Sequence, residues 1–404
     1  MDAGIRELLD LVLRWVHVIA GIMWIGNSML FNWLDRNLVR ESGAGRDVLG
    51  RIWLLHSGAF YHVEKTTLEG RPMPSPVHWF KWQAYTTWLS GASLLVVVYY
   101  LSGGALLLDP AVSDIGPGAA AAVGVGVLVG AWLAYEVLWT YVLPRWPAAV
   151  GAAVSFALVV GLGYGLTRVF SGRAALLHVG AVLGTLMAGN VFRKIVPAQR
   201  QQVAAAEAGE PPDAALAARA KLRSIHNNYM TFPVIALMLI SHFPGIYGHP
   251  LNWLLLAVIL LAGAGVRHLL NVRFTYRAWK PALAATMATA VVALYLIAAR
   301  PGATGATPAA RSPVAAGAAT FDRAHAVILK RCAVCHSASP ADRTFGPAPA
   351  GVMFDTPEQI RARADRILER AVVSRTMPPA NKTFITDEER EVLRGWIEGG
   401  ARVP

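Results

Sequence analysis

Long apolar stretches dominate the first 300 residues and predict a bundle of membrane helices. Eight of them are long enough, or nearly so, to cross a hydrocarbon core of about 30 Å. Their approximate bounds are 8–31, 79–102, 118–143, 147–169, 174–196, 228–243, 251–270 and 281–299. The first stretch has no Ala-x-Ala cleavage site and is longer than the apolar part of a signal peptide, so we expect it to be retained as an anchor.

Basic residues alternate between the predicted loops, and this alternation predicts the orientation. The loops after the first, fifth and seventh stretches are rich in Lys and Arg, whereas 103–117 and 244–250 contain neither. Because cationic loops stay in the cytoplasm, both ends of the membrane domain, residues 1–299, should face outward. This topology explains most of the net charge of +12, and no basic patch with interleaved aromatic residues indicates a nucleic-acid partner.

A segment of different composition follows the bundle. Residues 300–319 are rich in Ala, Gly and Pro and predict a flexible linker to a domain at 320–404. The only two cysteines, Cys332 and Cys335, precede His336 in a Cys-x-x-Cys-His motif, which is the spacing of covalent c-type haem attachment. A structural zinc site would need four N or S ligands, and no other cysteine exists to supply them. The sequence therefore predicts one haem c, with His336 as an axial iron ligand.

The same domain resembles a small class I cytochrome c. Met377 lies in a Pro-flanked loop downstream of the haem motif and is the expected sixth ligand, while Met353 in an Ala- and Gly-rich stretch is the alternative. His/Met ligation leaves no open iron position and favours electron transfer. The resemblance implies that Pro347 offers its carbonyl to the axial histidine. Thr386 and Glu389 predict a capping box at the start of a final helix.

Four histidines of the predicted bundle are candidate ligands for a second haem, of b type. His17 lies near the middle of the first stretch and His178 in the outer half of the fifth, while His78 and His226 stand at the starts of two further stretches. Imidazoles from facing helices can hold a haem iron, and ionisable groups inside a membrane are costly. The alternative is that these histidines bond between helices or lie at headgroup level.

Three side chains are candidate proton acceptors. Glu136 lies near the cytoplasmic end of the third stretch, where it would act as a base or pair with a neighbouring Arg. His62 and Glu64 stand close together in the run from Tyr61 to Lys65. That run predicts either a substrate site or a solvated amphipathic helix.

Two runs of the sequence resemble the bacterial membrane-bound urate hydroxylases, namely residues 15–27 (WVHVIAGIMWIGN) and residues 375–383 (RTMPPANKT). In that family a membrane domain of eight helices is fused to a cytochrome c. With the apolar pattern, the resemblance implies an all-α fold: an eight-helix transmembrane bundle followed by a small class I cytochrome c domain. It also implies oxidation of urate to 5-hydroxyisourate in the bacterial inner (cytoplasmic) membrane. Electrons would leave through haem c to a soluble cytochrome or a terminal oxidase.

Other families keep two alternatives open. Residues 15–27 are also similar to membrane haem proteins of copper-resistance and protoporphyrinogen-oxidising families, in which a first-helix histidine holds haem b. This similarity supports His17 as a haem ligand and keeps quinol or protoporphyrinogen oxidation as an alternative activity. A metal transporter with a cytochrome redox partner is less favoured, because the bundle has no cysteine and no clear Met cluster.

Overall fold

The computed structural model describes residues 3–68, 71–109, 112–211, 213–299, 321–342, 344, 349–373 and 375–404. It is mostly helical, with 69% helix and 5% strand. Helices fall at all the predicted apolar stretches. The helices before residue 300 are α1 (Ala3–Asn37), α2 (Trp82–Leu94), α3 (Pro117–Val137), α4 (Ala148–Leu166), α5 (Gly172–Asn190), α6 (Val196–Glu207), α7 (Ala214–Leu239), α8 (Pro244–Tyr247), α9 (Asn252–Val272) and α10 (Trp279–Ala298).

Among the described residues, six helical stretches are long and apolar enough to cross a membrane, which makes this a membrane protein. They are α1, α3 with its extension, α4, α5 joined to α6, α9 and α10. Of the described helices at the other two predicted stretches, α2 has only 13 residues, and α7 carries Arg219, Lys221 and Arg223 in its first half and contains Pro233. Eight crossings therefore stay a prediction.

Among the described helices before residue 300, three continue into a π-helical turn. Leu95–Tyr100 extends α2, Leu138–Val142 extends α3, and Val191–Ile195 joins α5 to α6. A π-turn inserts one residue into the helical repeat and is frequent beside functional sites. Here the turns adjoin the histidine of α5 and a cluster of charged side chains described below.

A β-hairpin corrects the all-α prediction. Strands β1 (Val48–His56) and β2 (Ala59–Thr66) pair in antiparallel fashion through a turn at Ser57 and Gly58, whose φ angles are 53° and 76°. Two positive φ values in a two-residue loop are typical of a type I′ turn, which matches the twist of the strands it joins. Residues 61–65 belong to strand β2, so the amphipathic helix considered for them was wrong.

Helix α5 is the centre of the bundle. It packs against α2, α3, α4, α7 and α9. In an apolar window of 18 residues within the stretch formed by α5 and α6, 72% of the residues are buried. In the corresponding window of α10, none is buried. Small residues allow this packing, because a side chain at Gly189 would collide with the indole of Trp132. Side chains on α5 therefore meet protein partners rather than lipid.

The last 84 residues fold around their own apolar core. Their helices are α11 (Phe321–Arg331), α12 (Pro357–Arg361), α13 (Ala364–Ile367), which continues as a π-turn, and α14 (Asp387–Glu398). The first and last helices touch through the rings of Phe321 and Trp396, whose centroids are 5.8 Å apart. The predicted capping box is confirmed, since Thr386 and Glu389 bond reciprocally at the start of α14.

Removing the Thr386 cap should destabilise α14 and no other helix. We expect Thr386→Ala to cost about 1 kcal/mol, which is roughly a fivefold rise in the local opening equilibrium. Hydrogen exchange of the whole protein, followed by mass spectrometry, would show faster exchange across Asp387–Glu398. The matched control is Thr356→Ala, which removes the capping box of α12 and should leave α14 unchanged.

Candidate functional site

Charged and polar side chains meet between three helices, and we refer to this group as the polar cluster. The cluster lies where α3 and α5 give way to their π-turns and where α7 passes them. Its members are Tyr135, Glu136, Trp139, Thr140, Asn190, Lys194, Arg223, His226 and Asn227. We name this part of the bundle the Asn190 end.

Glu136 anchors the charged half of the cluster. Arg223 donates to its carboxylate at 3.1 Å and to the hydroxyl of Thr140 at 3.0 Å, and Thr140 donates to the same carboxylate at 2.9 Å. Lys194 forms a second ion pair with Glu136. Arg223 is 4% exposed, and its Nη1 has no hydrogen-bond partner within the described residues. Two cations thus surround one carboxylate, and one buried donor is left over.

The uncharged residues of the cluster hold the imidazole of His226 in place. Asn190 donates to the hydroxyl of Tyr135 at 3.0 Å and to the side-chain oxygen of Asn227 at 2.8 Å. The hydroxyl of Tyr135 also lies 2.7 Å from Nδ1 of His226. When Tyr135 donates this bond, the neutral imidazole carries its proton on Nε2. The ring of Trp139 lies 4.1 Å from that of His226 and adds a flat apolar surface.

The other two candidate bases belong to the hairpin. Glu64 accepts from Arg51 at 2.6 Å and from Arg71 at 2.9 Å. The Arg51 hydrogen bond, aided by Arg71, holds the pKa of Glu64 below its ordinary value, which weakens it as a proton acceptor. His62 is exposed and lies against Trp53 on the opposite strand, with ring centroids 4.5 Å apart. Of the three candidates, the structure places only Glu136 in the polar cluster.

The proposed haem b pair is not assembled in this arrangement. His17 contacts α2, with Nδ1 at 2.9 Å from the carbonyl of Thr87. His178 is fully buried near the opposite end of α5, where Nδ1 donates to the carbonyl of Ala174 at 2.7 Å and Nε2 lies 3.0 Å from the hydroxyl of Tyr100. None of these hydrogen-bond partners is common to both imidazoles.

A haem does not fit His178 as it lies here. Both ring nitrogens are used, and the rings of Phe170 and Tyr99 close around it. Even a methyl group added at Gly124 would come within 2.9 Å of Nε2. His78 is exposed just before α2. Haem b on these residues stays a prediction.

A second site is a cavity of about 740 Å³ at the end of the bundle where α5 begins, which we name the Ser171 end. Cys332, Cys335, His336 and Met377 all line it. Both cysteines are free thiols. Within the described residues, no group of three or more His, Cys, Asp or Glu side chains is arranged to hold a metal ion. The donor set therefore fits covalent haem attachment better than a metal site of thiolates.

The two expected iron ligands are held by backbone contacts. Nδ1 of His336 donates to the carbonyl of Val352 at 3.1 Å, so its other nitrogen is left for the cavity. Pro347, the expected acceptor, lies outside the described residues. Buried Arg390 donates to the carbonyl of Met377 at 3.1 Å. The rival ligand Met353 does not line the described part of the cavity.

Sequence reasoning missed how the basic residues are used. Arg223 and Lys194 belong to predicted cytoplasmic loops, yet α7 begins at Ala214 and carries Arg223 into the bundle. The spacing of polar residues along α7 is the signal that would have identified Arg223. Arg223, His226 and Asn227 recur every three or four residues and so share one helical face.

The comparisons with known proteins bear on the first 299 residues. Residues 3–299 match the family described as urate oxidase N-terminal. The chain belongs to this family. Neither the curated proteins nor the solved structures contain a significant match. Membership indicates a urate-related oxidoreductase, and the matched range contains the whole polar cluster of this urate oxidase N-terminal domain, while the thiols of the cavity lie beyond it.

An ion pair beside the cavity makes the stability of the last domain depend on pH. Although burial alone would raise it, hydrogen bonds from Lys382 and Thr344 bring the pKa of Asp342 down to about 2, from 3.8. Because the folded pKa is the lower one, this stability is complete above pH 4 and is lost as the pH falls towards 2. We expect the loss to reach about 2 kcal/mol. Hydrogen exchange of residues 321–342 at pH 5 and pH 2.5 measures it, and Asp342→Asn should remove most of the difference.

Proposed function

We propose that the protein is a membrane-bound urate hydroxylase that oxidises urate to 5-hydroxyisourate. Water supplies the hydroxyl oxygen, and two electrons and two protons leave the substrate. The observation that carries this proposal is the family match over residues 3–299, joined to a buried cluster of acid, base and cationic groups inside the matched domain. The electrons would be accepted by a c-type haem and then by a soluble cytochrome or a terminal oxidase.

The polar cluster suits the substrate by charge and shape. Lys194 and Arg223 outnumber Glu136, so the cluster carries an excess positive charge in surroundings where charge is expensive. Urate, an anion, would neutralise that excess. The unused Nη1 group of Arg223 and the Nε2 proton of His226 would donate to its oxygens or ring nitrogens. The ring of Trp139 would face a planar purine.

Glu136 is the general base that this arrangement favours. Its carboxylate stands among the groups that would hold the substrate, whereas Glu64 is bound by two arginines and His62 is exposed on the hairpin. Lys194 and Arg223 keep Glu136 oriented, and an arriving anion would compete with it for them. Glu136 would then be free to accept the proton released when water adds to the purine.

The cavity at the Ser171 end would hold haem c. Cys332 and Cys335 would attach it, and His336 and Met377 would be its axial ligands. When bound, the haem supplies a one-electron acceptor that binds no oxygen. The core of the last domain, with α11 touching α14, is consistent with a class I cytochrome c.

The arrangement of the two sites supports the proposed topology. The cavity lies at the Ser171 end, with loops free of Lys and Arg such as 103–109 and 244–250. The polar cluster lies at the opposite end of α5, beside the basic loops. We propose that the protein spans the bacterial cytoplasmic membrane, with substrate entering from the cytoplasmic side and the haem domain outside.

An assay without oxygen tests the function. The purified full-length protein should consume urate anaerobically when oxidised cytochrome c is supplied, and it should form no stoichiometric hydrogen peroxide in air. Arg223→Gln should lower kcat/KM for urate about 10- to 100-fold, mainly through KM, because a charge-assisted hydrogen bond to the substrate is lost.

Arg219→Gln is the matched control, since Arg219 is exposed on α7 one turn earlier. It should leave both constants near the wild-type values. Anaerobic urate that persists in the presence of the acceptor would refute the activity. Equal effects of the two substitutions would refute the position of the substrate site.

Methionine variants test the haem ligands. Met377→Ala should leave an open iron position that binds added imidazole or carbon monoxide, with the haem still covalently attached. Met353→Ala is the control and should retain the wild-type visible spectrum. Ligand binding gained in the Met353 variant alone would reverse the assignment.

A further inference from the structure

The cavity that contains the haem motif has two walls from different parts of the chain. One wall carries the thiols and the expected iron ligands of the last domain. The other wall is the Ser171 end of the bundle, including Arg173, His242 and Tyr247. A haem attached to the first wall would therefore have the membrane domain as part of its pocket.

The bundle wall is closely built. Ser171 caps α5 and donates to the carbonyl of Leu106 at 2.9 Å, which ties the loop after α2 to the start of α5. Gly172 touches the carbonyl of Tyr247 so closely that no side chain fits there. These contacts hold α5, the loop after α2 and the loop before α9 in one surface that presents Arg173.

The described lining of the cavity has more basic than acidic residues. Asp109 is the only acidic residue among its described lining residues. The basic lining side chains include six arginines: Arg173, Arg331, Arg363, Arg366, Arg370 and Arg375. Several of those in the last domain already pair with carboxylates, as Arg331 does with Glu389. A cavity of this charge suits a ligand with carboxylates at its edge, as haem has in its propionates.

Arg173 is the cation that the bundle contributes. Its Nε is buried without a hydrogen-bond partner among the described residues. Its guanidinium bonds the phenol of Tyr99, whose ring stands 6.3 Å from that of His178. The side chain is thus held by Tyr99 and also lines the cavity.

We infer that the Ser171 end of the bundle completes the haem pocket, with Arg173 binding a haem propionate and thereby seating the last domain on the membrane domain. The inference rests on the proposed haem c. It makes Arg173 a positioning residue that touches the cofactor's edge and takes no part in urate chemistry. It also places the haem at the end of the bundle near the buried side chains of Tyr99 and His178.

Reduction of the haem should depend on the Arg173 charge. A nearby cation stabilises the added electron, so Arg173→Gln in the full-length protein should shift the reduction equilibrium about tenfold towards the oxidised form, or 59 mV for a one-electron couple. Arg173→Lys should restore most of the wild-type potential. Arg168→Gln is the control, because Arg168 is an exposed residue near the same end that contacts Tyr164.

The haem content separates this inference from the function on which it rests. A pyridine haemochrome spectrum without c-type haem in the wild type would refute the proposed function. Normal covalent haem with an unchanged potential in Arg173→Gln would refute the docking inference alone.

A second variant serves if Arg173→Gln does not accumulate. Arg173→His should match the wild-type potential near pH 5.5 and fall below it near pH 8.5. Comparison with the wild type at each pH cancels the titration of Asp109, His242, Tyr247 and His336. A constant difference between the two proteins at both pH values would contradict the inference.

Discussion

Arg223 is almost wholly buried among apolar helices, and a guanidinium in such a place is tolerated only beside a carboxylate. That requirement sets α7 against α3 through Glu136, and Lys194 brings the π-turn after α5 to the same carboxylate. Because Nη1 of Arg223 has no hydrogen-bond partner among the described residues, the contacts that hold these helices together also leave a donor for an anion. Under the proposed function, stability and substrate binding would use the same side chains.

Helix α5 places the two proposed sites at its opposite ends. Arg173 and Asn190 are separated by roughly 25 Å at 1.5 Å per residue. Protons would be handled at the Asn190 end and electrons received at the Ser171 end. Between them lie the fully buried His178 and the rings of Tyr99, Tyr100 and Phe170. Under the proposed function, the buried helix α5 would keep the two sites apart.

Much of the architecture could be predicted from periodicity. Helices occur at all the predicted apolar stretches, and the cap at Thr386 is present, because both depend on residues close together in sequence. The hairpin at Ser57 and Gly58 was not predicted, since its turn signal is local but its strands are only weakly alternating. The partners of His178 could not be predicted either. Two of them, Tyr99 and Tyr100, come from the π-turn after α2, some 80 positions away in the chain, and nothing in the sequence pairs those positions.

The sequence by itself determined the family, the membrane character and the haem motif, because these depend on residue composition and on spacing over a few residues. Only the tertiary structure decided that Arg223 enters the bundle to pair with Glu136, that His178 is enclosed rather than open, and that Arg173 faces the cavity of the haem motif. The physical reason is that burial and pairing are properties of neighbours in space. A buried charge pairs with the opposite charge that lies next to it once the helices have packed. The sequence of either segment alone does not determine that partner.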